Sequence, residues 1–197
     1  MTFEKQIRAV YNEETITVYQ AYRKEIAISA VAHQKFVFPF KMERMTWIKP
    51  SFLWMMYRSG WATKEGQEHI LAIKIKREGF EWALKNSCLS HFESSLFSSQ
   101  EEWKIKLQNS PVRLQWDPEK DIHLQNLHYR SIQIGLNGTA VCHYVNDWII
   151  SINDITPFCK KIHSLLLDNK IEEAKILLTV ENIYPLSHEL RKTITDF

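Results

Sequence analysis

The chain has 197 residues, with 25 Lys and Arg against 23 Asp and Glu, for a formal net charge of +2. That length suits one domain, 1–197, whose core needs no staples, and so mild a basic balance does not by itself argue for nucleic acid. The three cysteines, Cys88, Cys142 and Cys159, are odd in number and widely spaced; they match no metal-binding spacing and imply reduced thiols without a structural metal.

Met1 to Val10 is charged and amphipathic, unlike a signal peptide, and no apolar run approaches a membrane span. A cytoplasmic protein with no membrane association is expected. Thr15 to Tyr22 is rich in β-branched and aromatic residues and reads as a central strand. Lys24 to Gln34 carries Ile26, Ala27, Ala30 and Val31 at helical spacing and should pack on it. Phe36 to Phe40, broken by Pro39, is a buried connector or short edge strand.

The densest stretch is Thr46 to Trp61, where aromatics, cations and hydroxyls crowd together. Pro50 suits the first position of a helix and Gly60 suits its end, so Pro50 to Ser59 is predicted helical. Leu53, Met56 and Tyr57, with Phe52 beside them, share one face; Lys49, Trp54 and Arg58 lie on or near the other. Two readings stay open: a buried helix with snorkelling Lys and Arg stems, or an anion site where Thr46, Lys49 and Ser51 meet the helix N-terminus.

Ile70 to Lys76 is a second strand with one wet face, followed by a helix to about Asn86. Ser87 to Ser99 reads as a surface loop or short helix, and Glu101 to Asn109 as a helix. Val112 to Trp116 is a strand closed by a turn at Asp117-Pro118-Glu119-Lys120. Ser131 to Leu136 is another strand, and Asn137-Gly138 signals a hairpin, with Ala140 to Tyr144 and Trp148 to Ile152 pairing nearby. Helices at Pro157 to Leu167 and Lys170 to Leu178 complete an α+β fold, with a mixed or antiparallel central sheet and flanking helices.

No dinucleotide fingerprint, Walker loop, nucleophile elbow, zinc-protease motif or paired CxxC occurs, and the histidines are scattered without i,i+4 spacing. Polar residues inside strands are better candidates. Gln20, Gln115 and Gln133 each interrupt an apolar strand, where a buried amide is costly unless bonded, and Arg23, Arg113 and Arg130 lie next to them. Such a set suits a phosphate-bearing, hydroxyl-rich ligand such as a nucleotide, or else caps strand edges and pairs with the abundant carboxylates.

The runs RAVYNEETITVYQAY, RMTWIKPSFLWMMYRSGWATKEGQE, VRLQWDPEKD and YRSIQIGLNG closely resemble the bacterial family known as domain of unknown function 4291, over nearly the whole chain. That family is in turn similar, at a distance, to the ADP-ribosyltransferase fold. The resemblance implies NAD as substrate. Tyr19-Gln20 resembles the motif that binds the ribose, Tyr57 or Trp61 the aromatic that stacks on nicotinamide, and Gln133 the late Glu or Gln. Two departures, no histidine in the first motif and no glutamate at the last, make a nucleic acid or small molecule a better acceptor than protein.

Cleaving the nicotinamide–ribose bond develops an oxocarbenium-like cation, which a carboxylate or amide aimed at the ribose stabilises. Gln133 can orient a hydroxyl, and Glu119 would supply negative charge if its turn folded over the cleft. Lys49, Arg58 and Arg23 would hold the pyrophosphate, with a tryptophan such as Trp54 or Trp61 under the ring. The alternatives are an RNA- or DNA-binding module, stacking bases on Trp47 to Trp61 with phosphates on Lys49, Arg58 and Lys74 to Arg77, and an interaction protein whose aromatics are core and interface.

Overall fold

The computed structural model describes residues 4–194, so the expectations for Met1 to Val10 and for a domain of 1–197 lie in part outside the described residues. The strands and helices run β1 (Glu4–Lys5), β2 (Arg8–Ala9), β3 (Thr15–Tyr22), α1 (Lys24–His33), β4 (Thr46–Ile48), α2 (Phe52–Ser59), β5 (His69–Lys76), α3 (Arg77–Lys85), β6 (Ser87–Leu89) and α4 (Gln100–Asn109). They continue as β7 (Val112–Lys120), β8 (Asn126–Leu136), α5 (Thr139–His143), a π-helical turn (Tyr144–Trp148), β9 (Ile149–Asp154), α6 (Thr156–Leu167), α7 (Ile171–Leu177), β10 (Asn182–Ile183) and α8 (His188–Ile194). The fold is mixed α+β.

β3 pairs antiparallel with β5 along its whole length, from Thr15 opposite Lys76 to Tyr22 opposite His69, and β9 flanks β5. Alternation covers both faces of this sheet. Ile16, Val18, Leu71, Ile73, Ile75 and Ile152 enter one core, while Tyr19 and Ile70 enter a second with α2 and α6. The free edge of β9 is closed by Gln34, whose side-chain amide accepts from Ile152 N and donates to Ile152 O, both at 2.9 Å, as a neighbouring strand would.

A second, larger sheet centres on β8, which pairs antiparallel with β7 along one edge, and with β1 (parallel) and β4 (antiparallel) along the other, while β2 and β10 form a separate antiparallel pair. Val112, Leu114, Trp116, Ile132, Ile134 and Leu136 face the first core, so the polar residues between them face outward. The two sheets meet where β4 runs on past Ile48. There Lys49 bridges to β3, with Tyr19 N donating to Lys49 O at 2.7 Å and Lys49 N to Tyr19 O at 3.4 Å.

Several expectations need correction. Asp117 to Lys120 is no turn; β7 runs on to Lys120 and the reversal comes at Asp121 to Gln125, where Asp121 Oδ1 accepts from His123 N and Gln125 N. Pro118 is tolerated because β6 covers β7 only as far as Leu114 and the β7–β8 register slips between Pro118 and Lys120. Asn137-Gly138 opens α5 rather than a hairpin, and Ala140 to Tyr144 is helical, with Ala140, Val141 and Tyr144 buried in the first core. Among the described residues β9 therefore pairs with β5 alone. Ser87 to Leu89 is a short strand parallel to β7, and Phe36 to Phe40 is a loop, with Phe36 buried and Phe38 exposed.

The α2 boundaries follow the chemistry of its ends. Ser51 caps it by accepting from Trp54 N at 3.2 Å, and Gly60 ends it at φ 57°, where a side chain would be strained. Its faces are not as predicted. Trp54 and Met55 are buried along with Phe52 and Met56, and Tyr57 is exposed, because both sheets and α6 surround this helix.

Candidate functional site

The outward face of the β7–β8 sheet forms the floor of a cleft of about 800 Å³ between the two sheets. Gln115 of β7 lies opposite Gln133 of β8, and both line it. Gln115 Nε2 donates to Asp117 Oδ1 at 2.9 Å, two residues along the same face. The Gln133 side chain has no hydrogen-bond partner among the described residues. Trp47 of β4 faces Gly135 of β8, and a Cβ at Gly135 would lie 2.9 Å from the indole and from Met45 Sδ. The missing side chain is what lets Trp47 lie down on the floor.

At the junction of the sheets stands Lys49. Its side chain is 1% exposed, its Nζ lies 3.2 Å from Asp117 Oδ2, and the ammonium sits 3.7 Å from the centre of the Trp54 ring. Burial lowers its pKa to about 8, against the attraction of Asp117 and Glu119. The amine thus keeps its charge below that value only because a carboxylate and an aromatic face replace water.

Gln20 of β3 is bound at both ends. Its Nε2 lies 2.7 Å from Thr46 Oγ1, 2.9 Å from Trp47 O and 2.9 Å from Tyr22 Oη, and its Oε1 accepts from Tyr144 Oη at 2.7 Å. The amide ties β3 to β4 and to the turn after α5, and so fixes the cleft wall. Burial raises the pKa of both Tyr22 and Tyr144, so these phenols stay neutral donors.

The expected anion site at the N-terminus of α2 is already filled by the protein. Phe52 N donates to Glu181 Oε1 at 2.7 Å, and Ser51 Oγ donates to Glu119 Oε1 at 2.8 Å. The first free N–H of the helix is thus satisfied by a carboxyl group from a distant part of the chain. Burial pushes Glu181 up to about 8, with the charge of Glu119 adding to it. Glu119 Oε2 is buried without a partner among the described residues.

Of the sequence candidates, Gln20, Arg23, Lys49, Trp54, Arg58, Gln115 and Gln133 all line the cleft. Glu119 and Ser51 lie behind it, against the start of α2. Tyr19 and Trp61 are in the second core, Trp61 stacked on His163 at 5.4 Å. Tyr57 is exposed beneath Lys120, whose Nζ lies 3.6 Å from its ring centre. Sequence reasoning missed two acids: Asp117, which the alternation from Gln115 could have placed on the same face, and Glu181, for which no local signal exists.

Around the mouth, Arg23 is paired only with Glu25 at 3.6 Å, while Lys41 and Arg44 have no carboxylate partner among the described residues. Arg58 Nη1 donates to Gln67 at 3.1 Å once that amide is oriented to accept. Asp117 and Glu65 are the acids in the lining, so cations outnumber them and an anionic ligand is favoured. Among the described residues no group of three or more His, Cys, Asp or Glu could hold a metal ion, and no helix is long and apolar enough to cross a membrane.

A family model described as Domain of unknown function (DUF4291) matches residues 6–184. The chain belongs to that family. No curated protein matches it.

Proposed function

We propose that this member of the DUF4291 family binds NAD in the cleft and transfers its ADP-ribosyl group to an acceptor other than protein. One observation carries the reading: a cleft with room for a dinucleotide unites facing amides, an indole on its floor, a buried cation–carboxylate pair and unpaired rim cations. The placement of β3, α2 and β8 around that one cleft supports a likeness to the ADP-ribosyltransferase fold. The cysteines Cys88, Cys142 and Cys159 are free, which suits a reducing cytoplasm.

In this reading Arg23, Arg58 and Lys49 hold the pyrophosphate, and Trp47 takes the nicotinamide ring in place of the buried Trp61. Gln133 offers its unpartnered amide to a ribose hydroxyl. As the bond between nicotinamide nitrogen and C1′ breaks, the ring takes the bonding electrons and leaves neutral, and positive charge develops on the ribose. Asp117 replaces Glu119 as the carboxylate that stabilises this charge. The acceptor then bonds to C1′ and gives up a proton.

The test is chromatographic detection of nicotinamide released from NAD, with water or a supplied acceptor as nucleophile. Release by the wild-type protein that is lost in folded Gln133→Ala supports the reading. No release, together with no transfer of labelled ADP-ribose to any added acceptor, contradicts it.

A further inference from the structure

The loop between α1 and β4 presents Phe38, 89% exposed, beside the mouth of the cleft that Pro39 and Phe40 line. The loop is well anchored. Phe36 and Phe40 stack beneath it with centroids 4.5 Å apart, Tyr22 packs edge-on against both, and Ser29 Oγ donates to Phe38 O at 3.2 Å. Phe38 is thus held out in water by a rigid base. Lys41 and Arg44 follow on the same loop, line the cleft mouth and lack carboxylate partners among the described residues.

We propose that this loop is the acceptor side of the site and binds single-stranded nucleic acid, with a base stacked on Phe38 and backbone phosphates on Lys41 and Arg44. A flat exposed ring beside unpaired cations matches what an unpaired strand offers, alternating π-faces and phosphates. A duplex hides its base faces and gains only the cations. Of the aromatics from Trp47 to Trp61, Trp54 and Trp61 are buried and Trp47 lies on the cleft floor, so on this rim the exposed ring is Phe38. The acceptor assignment rests on the transferase reading: a strand on this rim brings a base N–H or a hydroxyl to the ribose C1′, where the nitrogen or oxygen would bond to C1′, displace nicotinamide and release its proton.

Fluorescence anisotropy with a labelled oligouridylate or oligothymidylate of roughly 12 nucleotides, beside a duplex of the same length, tests this. The single strand should bind more tightly than the duplex, and Phe38→Ala should weaken it about tenfold without altering NAD binding. Replacing Lys41 and Arg44 by Ala should flatten the salt dependence by about 0.7 per cation in the log–log slope. No binding at low salt, unchanged binding by Phe38→Ala, or equal binding of polyglutamate with the same Phe38 dependence would overturn the proposal. Oligonucleotide binding without NAD binding would leave the strand surface standing and overturn the acceptor role.

Discussion

Lys49 and Asp117, 68 residues apart in the chain, meet at 3.2 Å where the two sheets join. The pair is asymmetric: Lys49 is 1% exposed and Asp117 17%. Removing the acid leaves a buried cation alone, whereas removing the cation leaves an acid that water and Gln115 still reach. Asp117→Asn should therefore destabilise the fold by about 3 kcal/mol, and Lys49→Met by clearly less, in urea unfolding. Equal losses would show that the pair is not anchored by burial of the lysine.

The same lysine makes ligand binding pH-dependent. With its pKa lowered to about 8, Lys49 is cationic below that pH and neutral above it. Affinity for NAD should fall between pH 7 and 9, the fall being smaller in Lys49→Met at its own lower affinity. Identical pH profiles would remove Lys49 from the phosphate site.

Glu181 couples pH to stability. Its folded pKa is raised from 4.5 to about 8, so over that window the folded state holds a proton that the unfolded chain releases. Stability from this group is complete below pH 4.5 and is lost as pH rises towards 8. Glu181→Gln keeps an acceptor for Phe52 N and removes the titration, so its stability should change less than the wild type's between pH 5 and 8. Parallel curves from thermal unfolding at several pH values would refute this.

Gly135→Ala places a methyl 2.9 Å from the Trp47 indole and from Met45 Sδ. Since β4 is hydrogen-bonded at this point, the indole must move off the cleft floor. The variant should lose about 1–3 kcal/mol, shift its tryptophan emission and bind NAD more weakly. Unchanged emission and affinity would mean that Trp47 does not need this close approach.

Much of the scaffold was legible locally. β3 and β5 announce themselves through β-branched alternation and α2 through helical spacing and Gly60 at its end, and Gln115 and Gln133, singled out within their strands, lie on the cleft floor. The misreadings share a cause. Pro118 and Asn137-Gly138 are turn residues by local preference, yet an open sheet edge and the burial of Ala140, Val141 and Tyr144 decided otherwise. The partners that give the site its electrostatics were out of reach, since Glu181 meets Phe52 across 129 residues and no periodicity encodes such a contact.

The central claim is that the cleft binds NAD, and calorimetric titration of NAD into the wild-type protein tests it most directly. The same titration on Arg58→Ala and Gln133→Ala locates the site. Saturable binding that each substitution weakens, by roughly tenfold for the arginine, is the expected result. No binding by the wild-type protein up to millimolar NAD, or binding that neither substitution alters, would contradict it.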